Sequence, residues 1–517
     1  MRSSSPIALI VKYVILGIVD AVAVWAGVGL VMAANYGLLA MLAIGAGALN
    51  VLVLSKRAYP FRYLAPGLAF LFGMVVYPIL YTAYVSLTNL QTGNLLSKDQ
   101  VIQLFEDRYA AAPDQETFTY RAFLDDHESL VVLLIDEITD REWITSEGDP
   151  DLVVVDRSDP QFEIDEFGAL VGISGLSEVT GLQRYQILSR LETLAFPYGE
   201  EYLRLSGLNA FKTFIRRYAF DWETDLLTDL TTGMVYTPID GTFTADDGTT
   251  LEPGYQVWVG GRNFGSLLSN AAMRKDFARV FVWTIVWSLM SVLLSFSVGL
   301  GLALLLNDRK LRLRVIYRTL LIVPYVMPVF ISALVWRGMF NAQFGIVNRI
   351  FQSLFGTTFR WLDDPMLARG VLIFINVWLS FPYMMLISLG ALQSIPDQLY
   401  EAARVDGAGM FRRFWRVTLP LLMISLAPLL IGSFAFAFNN FTLIYLVTAG
   451  RPAVLGAATP AGATDILISW TYRIAFQGGS GNQLGLASAV SILIFAIIAT
   501  ISAIGFRLTK RLEEVYK

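Results

Sequence analysis

Asn376, Ser380 and Tyr383 recur at i, i+4 and i+7 within one strongly apolar stretch, and Ser433, Phe436 and Asn440 repeat that pattern in another. On a helix each triplet shares a face, with Ala437 the alternative to Phe436 in the second. Tyr325 and Ser332 keep the same spacing in a third stretch, beside Pro324 and Pro328, which predict a kinked helix with opened backbone. Leu379 joins these residues as an expected substrate contact. Amide, hydroxyl and aromatic groups without charge suit a neutral sugar: the hydroxyls need donors and acceptors, and the C–H faces suit rings. Such residues also hydrogen-bond simply from helix to helix in membranes, so each alone has two readings. The cluster on two stretches favours a pocket.

Other chemistries find little here. There is no cysteine, which removes disulfides, thiol nucleophiles and iron–sulfur ligation. The one histidine, His127, lies in a polar region and reads as a surface residue, so neither a histidine metal site nor Ser-His-Asp catalysis is expected. No metal ligand set is assigned. No G-x-x-x-x-G-K-[ST] phosphate loop occurs, so any ATP used belongs to another polypeptide. A proton relay needs carboxylates within the membrane, and Asp20 is the clear candidate, in a peripheral stretch.

The elements that must position the polar stripes are membrane helices. Apolar residues make up 55% of the 517, and the mean hydropathy is +0.55. That composition predicts several spans. Eight segments are long and apolar enough: 7–31, 36–54, 64–88, 278–306, 316–340, 369–391, 418–447 and 485–507. The first is expected to be a retained span, not a cleaved signal. Gly and Ala suit the first two to close packing as a hairpin joined by Met32–Asn35.

Charge sets the orientation. Residues 91–276 hold 33 acidic and 14 basic residues, whereas the remainder holds 10 and 25. Basic residues cluster after the second span (Lys56, Arg57, Arg62) and the fourth (Arg309, Lys310, Arg312, Arg314, Arg318). They do so again after the sixth (Arg404, Arg412, Arg413, Arg416) and the eighth (Arg507, Lys510, Arg511). With eight spans all four clusters fall on one side, which is therefore expected to be cytoplasmic, with both termini. The fold expected is an all-α polytopic membrane protein with eight transmembrane helices. A large α+β, strand-rich periplasmic domain is inserted between helices 3 and 4. The parts are 1–90, 91–276 and 277–517.

Within the insertion, Glu128–Asp136 and Asp151–Asp156 read as buried strands, and Gln183–Ala195 and Gly207–Tyr218 as helices. Repeated Thr, Gly and Asp from Tyr218 onward predict hairpins. Its acidity suits either solubility or steering of a partner. The loop Gly450–Gln483, with Pro452, Pro460 and many glycines, reads as irregular and exposed, and offers Asp465, Tyr472 and Arg473 to a partner.

Between the sixth and seventh spans lies a charged island at 396–420. Asp397 is expected to cap a short helix through Glu401-Ala402-Ala403, which Gly407 and Gly409 end. Two readings stay open on composition: a helix lying on the lipid headgroups, or one docking on a partner.

Glu401-Ala402-Ala403, Asp406-Gly407-Ala408, Phe414 and Thr418-Leu419-Pro420 resemble the EAA loop of permease subunits in bacterial ABC importers. The resemblance implies that Glu401, Ala402, Ala403, Asp406, Gly407 and Ala408 form a coupling helix seated in a cleft of an ATPase subunit. Eight spans with an external insertion after the third, and the stretches Asn376–Met384, Ser433–Asn440 and Thr459–Gly479, resemble the larger permease subunits of maltose/maltodextrin importers. That likeness implies a second permease subunit, a dimer of ATPase subunits and a periplasmic sugar-binding protein as partners. ATP and Mg would sit on the ATPases, with no cofactor on this chain and no role for nucleic acid. It also implies substrate contacts at Asn376, Tyr383, Ser433, Phe436 and Asn440. Ser380 and Ala437 depart from that pattern, which has Gly and Asn there, and so leave open another oligosaccharide such as trehalose. A membrane insertase or sensor is the rival of another class; it requires a charged groove in the spans or a cytoplasmic output domain.

Overall fold

The computed structural model describes residues 6–515 apart from 33–35, 56, 58–60, 126, 167–169, 309 and 478–481. Lys56 and Arg309 of the expected basic clusters, and most of the first hairpin's connection, lie outside the described residues. The chain forms two compact units, Met1–Tyr84 and Val85–Lys517. In the first, helices Pro6–Met32 and Tyr36–Leu54 pair, and Asn50 Nδ2 donates to Asp20 Oδ1 at 2.8 Å. Asp20 is thereby tied to a neighbouring helix.

Among the described residues seven helices are long and apolar enough to cross a membrane, and a bent pair makes the eighth. That pair is Arg314–Val326 and Val329–Met339, which meet at 89°. The fifth span is thus broken, not merely kinked. Pro328 supplies no N–H to continue the ladder, and Met327 before it is extended (ψ 133°). Consequently Tyr325 and Ser332 do not share a face as their spacing predicts. The seventh span ends earlier than expected: its helix Leu419–Phe438, continuing a helical run from Met410, stops before Asn439, and a separate short helix runs Phe441–Val447.

The fourth span, Ala271–Asn307, and the sixth, Pro365–Gln393, form the centre of the core. Each begins at a strong cap. Asn270 accepts from the N–H groups of Ala272 and Met273, and Asp364 from those of Met366 and Leu367, with Pro365 in the first helical turn. They pack closely at Gly299, where an added Cβ would stand 2.6 Å from both Met384 Cβ and the Met385 nitrogen. Backbone cannot yield there as a flexible side-chain tip would. Gly299→Leu is therefore expected to destabilise the core by about 1–3 kcal/mol, read as a lowered unfolding temperature of the detergent-solubilised chain.

The insertion is built on a sheet in the order Val153–Val154, Glu142–Ser146, Leu130–Asp136, Thr117–Leu124, Ala210–Arg216, Glu201–Ser206 and Ala195–Tyr198. Helix Leu182–Thr193 packs Ile187 and Leu191 against it. A five-stranded meander over Tyr218–Leu251 follows, as the turn residues predict. It closes on Lys98–Glu106, whose Ser97 and Gln100 form a capping box. Two expectations fail. Gly207–Tyr218 is not a helix; Ala210–Arg216 is an inner strand, with Phe211 and Thr213 buried on alternate positions and partners on both edges. Asp151–Asp156 contains only a two-residue exposed edge strand, Val153–Val154. Leu152 and Val155 pack half-buried against the core, while Val153 and Val154 lie exposed at the edge.

Candidate functional site

The fourth to seventh spans enclose a cavity of about 550 Å³, within the range of small-molecule sites. Tyr325, Asn376, Leu379, Ser380, Tyr383, Ser433, Phe436 and Asn440 all line it. The sequence spacing thus brings the substrate candidates to one place, while Ser332 lies buried elsewhere. The helix breaks matter for this. The break after Val326 lets Tyr325 stack on Tyr383, with ring centroids 6.1 Å apart and planes at 20°. The break at Asn439 places Asn440 as the cap of Phe441–Val447; its Oδ1 accepts from the Leu443 N–H and its Nδ2 donates to Asn376 Oδ1 at 3.3 Å. Trp287 Nε1 donates to the Ala437 carbonyl at 2.9 Å and so satisfies an acceptor at the helix end.

Every residue lining the cavity is neutral. Hydroxyls, amides and rings are present without a fixed charge, so the cavity suits a solute that is polar and uncharged. Ser433 donates to the Leu429 carbonyl at 2.8 Å, which leaves its oxygen lone pairs as acceptors. Phe436 is 74% exposed and presents an open ring. Ser291 and Ser295 of the fourth span also line the cavity, and their buried hydroxyls have no hydrogen-bond partner among the described residues. Sequence reasoning missed them. Their i, i+4 spacing was the same signal that found the sixth- and seventh-span residues.

The second candidate site is the island at 396–420. Its helix is Asp397–Val405, one residue earlier than expected; Pro396 is the cap and Asp397 the first helical residue. The helix ends in a Schellman turn: Ala408 N–H donates to the Ala403 carbonyl and Gly407 N–H to that of Arg404. Gly407 has φ +75°, a conformation costly for any residue with a Cβ. Nothing on this helix is buried, and Glu401, Val405, Met410 and Phe411 face outward. Thr418 Oγ1 donates to the Tyr400 hydroxyl at 3.3 Å and ties the helix to the start of the seventh span. Val405, with Met410 and Phe411 just beyond the helix, forms an exposed apolar edge beside its polar face.

Among its described residues the loop 450–483 is neither wholly irregular nor wholly exposed, contrary to expectation. It contains helix Leu467–Gln477, and Asp465 is buried instead of offered outward. Asp465 accepts from the Gly462 N–H, Ser469 Oγ and Arg473 Nη1 at 2.7–2.8 Å. Burial pushes its carboxyl above the ordinary range, while Arg473 and the two other donors favour the charged form. Asp465 and Arg473 therefore hold the loop's shape.

The model for the binding-protein-dependent transport system inner membrane component matches residues 295–514. The model for the N-terminal part of the transmembrane subunit in binding-protein-dependent ABC transporters matches residues 69–148. The maltose/maltodextrin transport system permease protein MalF of Vibrio vulnificus is 36% identical over 472 residues, covering 88% of this chain and 86% of its own. The chain belongs to the MalF family. MalF of Escherichia coli K12 is similar at 37% identity over 467 residues, 88% of each chain. Among solved structures, a bacterial ABC transporter that imports the acidic polysaccharide alginate aligns at 24% identity and a TM-score of 0.43, covering 49% of this chain and 84% of that one. As a MalF-family member this chain is a permease subunit of an ABC importer, a multi-pass inner-membrane transport component and not an enzyme. The strand-rich insertion between the early and later helices accords with MalF-like architecture.

Proposed function

We propose that this chain passes maltose or a maltodextrin from a periplasmic binding protein to the cytoplasm by alternating access. One observation carries the reading: a single neutral cavity gathers all eight residues selected as sugar contacts. The relatives named as maltose/maltodextrin permeases support the choice of sugar. Tyr325, Tyr383 and Phe436 offer faces for pyranose C–H groups, while Asn376, Asn440, Ser380 and Ser433 offer donors and acceptors.

Glu401, Ala402, Ala403, Asp406, Gly407 and Ala408 form the handle that a partner ATPase grips. Closure of an ATP- and Mg-bearing dimer moves that handle, and the seventh span, tied through Tyr400 and Thr418, transmits the motion to the cavity. A second permease subunit completes the path, with Phe436 facing it or the sugar. The basic clusters place the handle and both termini in the cytoplasm and 91–276 in the periplasm, where that domain meets the binding protein.

Ser380 and Ala437 both line the cavity. They change its bulk and remove an amide relative to the expected family pattern, and this favours a second reading, a permease for another disaccharide such as trehalose. Reconstituting the complex with its binding protein separates the two. Maltose is expected to stimulate ATP hydrolysis and trehalose to leave it near basal; the reverse would assign the second sugar, and stimulation by neither would overturn the sugar-permease reading.

A further inference from the structure

A second groove, of about 690 Å³, runs between the fourth and sixth spans on a face of the core away from the sugar cavity. Arg279 and Arg369 line its end nearest the loop segment 458–464, and Val282, Val286, Gly370 and Ile373 line the part that continues along the helices. Both spans run away from that loop in the same direction. Val282, Val286 and Ile373 therefore lie about one to two turns deeper in the membrane than the Cα atoms of the two arginines.

The cations are held, and one carboxylate, Asp276, partly offsets the two of them. Arg279 has one nearby carboxylate, Asp276, whose Oδ1 stands 3.6 Å from Nη1, too far for a hydrogen bond. The other oxygen of Asp276 is occupied by the N–H groups of Ala458 and Thr459 and by Thr459 Oγ1, at 2.9–3.1 Å. Arg279 Nη1, turned toward Asp276, is buried with no hydrogen-bond acceptor among the described residues. Arg369 donates its Nε to the Ala463 carbonyl at 2.9 Å and lies 4.6 Å from the Trp283 ring, which fixes its plane. No acidic residue lines the groove. Two guanidiniums against one carboxylate leave a net positive charge at this end of the groove, which suits an anion with several oxygens. The trough beneath calls for something else, because Val282 is 59% and Val286 41% exposed. A free anion leaves that surface uncovered, whereas an acyl chain covers it.

We propose that Arg279 and Arg369 bind the phosphate of a membrane phospholipid whose acyl chain lies along Val282, Val286 and Ile373. On the orientation proposed above the lipid comes from the periplasmic leaflet. It braces the 458–464 loop, which Asp276 and Arg369 already tie to the two spans.

The test uses the purified, delipidated complex titrated with phosphatidylglycerol, phosphatidylcholine or inorganic phosphate, followed by native mass spectrometry and thermal unfolding. Both phospholipids should bind the permease and raise its unfolding temperature, and inorganic phosphate alone should not. Arg279→Gln removes one of the two positive charges at the groove. Gly370→Leu fills the trough without a clash, since nothing lies within 4 Å of a Cβ at Gly370. Each is expected to weaken lipid retention about tenfold, and Arg279→Lys to restore part of it. Equal retention in both variants, or an equal shift with inorganic phosphate, would overturn the proposal. So would a photo-crosslinker at Ile373 that captured the second permease in place of lipid.

Discussion

Glu401→Lys is expected to reduce sugar-stimulated ATP hydrolysis of the assembled complex to its basal level while leaving the chain folded and inserted. Glu401 is exposed on a helix with no buried residue, so its replacement should change stability by no more than about 0.5 kcal/mol. Reversing its charge alters only the surface offered to the ATPase. Gly407→Val reaches the same end by another route. Its φ of +75° imposes about 1–3 kcal/mol of backbone strain on a side chain at that position. The strain is relieved by opening the Schellman turn that sets the helix angle. Thermal unfolding of the permease separates the two, with Glu401→Lys unchanged and Gly407→Val locally loosened. ATPase assays in proteoliposomes read the common loss. Normal stimulation in both variants would remove this helix from the coupling path.

The second large effect concerns the cavity. Asn440→Leu should abolish uptake, because two functions meet at that amide. Its Oδ1 caps Phe441–Val447, and its Nδ2 contacts Asn376 at the cavity wall. A leucine leaves the Leu443 N–H uncapped and puts an apolar side chain where a sugar hydroxyl would bond. Loss of the cap alone costs about 1 kcal/mol, too little to unfold the core. Loss of sugar contacts in the occluded state costs more, about 10²-fold in transport for two hydrogen bonds. Tyr383→Ala removes one face of the Tyr325 stack and leaves the cap intact. A parallel drop in labelled-maltose uptake for Asn440→Leu and Tyr383→Ala, with assembly unchanged, is the expected result. Full uptake in Tyr383→Ala would place the sugar elsewhere.

The contrast between the two sites shows why sequence reading succeeds in some places. At 376–383 the spacing i, i+3, i+4, i+7 on an unbroken helix converts directly into a face, so Asn376, Leu379, Ser380 and Tyr383 arrive together. At 325–332 the same arithmetic fails, because the helix turns through 89° at Pro328 and sends Ser332 out of the cavity. Proline announces a disturbance but not its angle, which depends on what the freed backbone packs against. In the insertion, Phe211 and Thr213 alternate within a stretch that also contains good helix formers. Only its neighbouring strands, Glu201–Ser206, Thr117–Leu124 and Tyr109–Ala111, settle it as sheet, and some lie far off in sequence, as where Tyr109 pairs with Arg216.

From composition and periodicity alone follow the membrane spans, the strand-rich insertion, the exposed helix at 397–405 and the neutral character of the residues that line the cavity. These depend on local propensity and on the hydrophobic effect, which are written residue by residue. Tertiary structure alone decided that the helix breaks fall at the cavity, that Ser291 and Ser295 join it, that Asp465 faces inward, and that Arg279 and Arg369 share a groove. Those outcomes come from packing between distant segments, where a side chain's surroundings are set by partners its own neighbourhood does not specify.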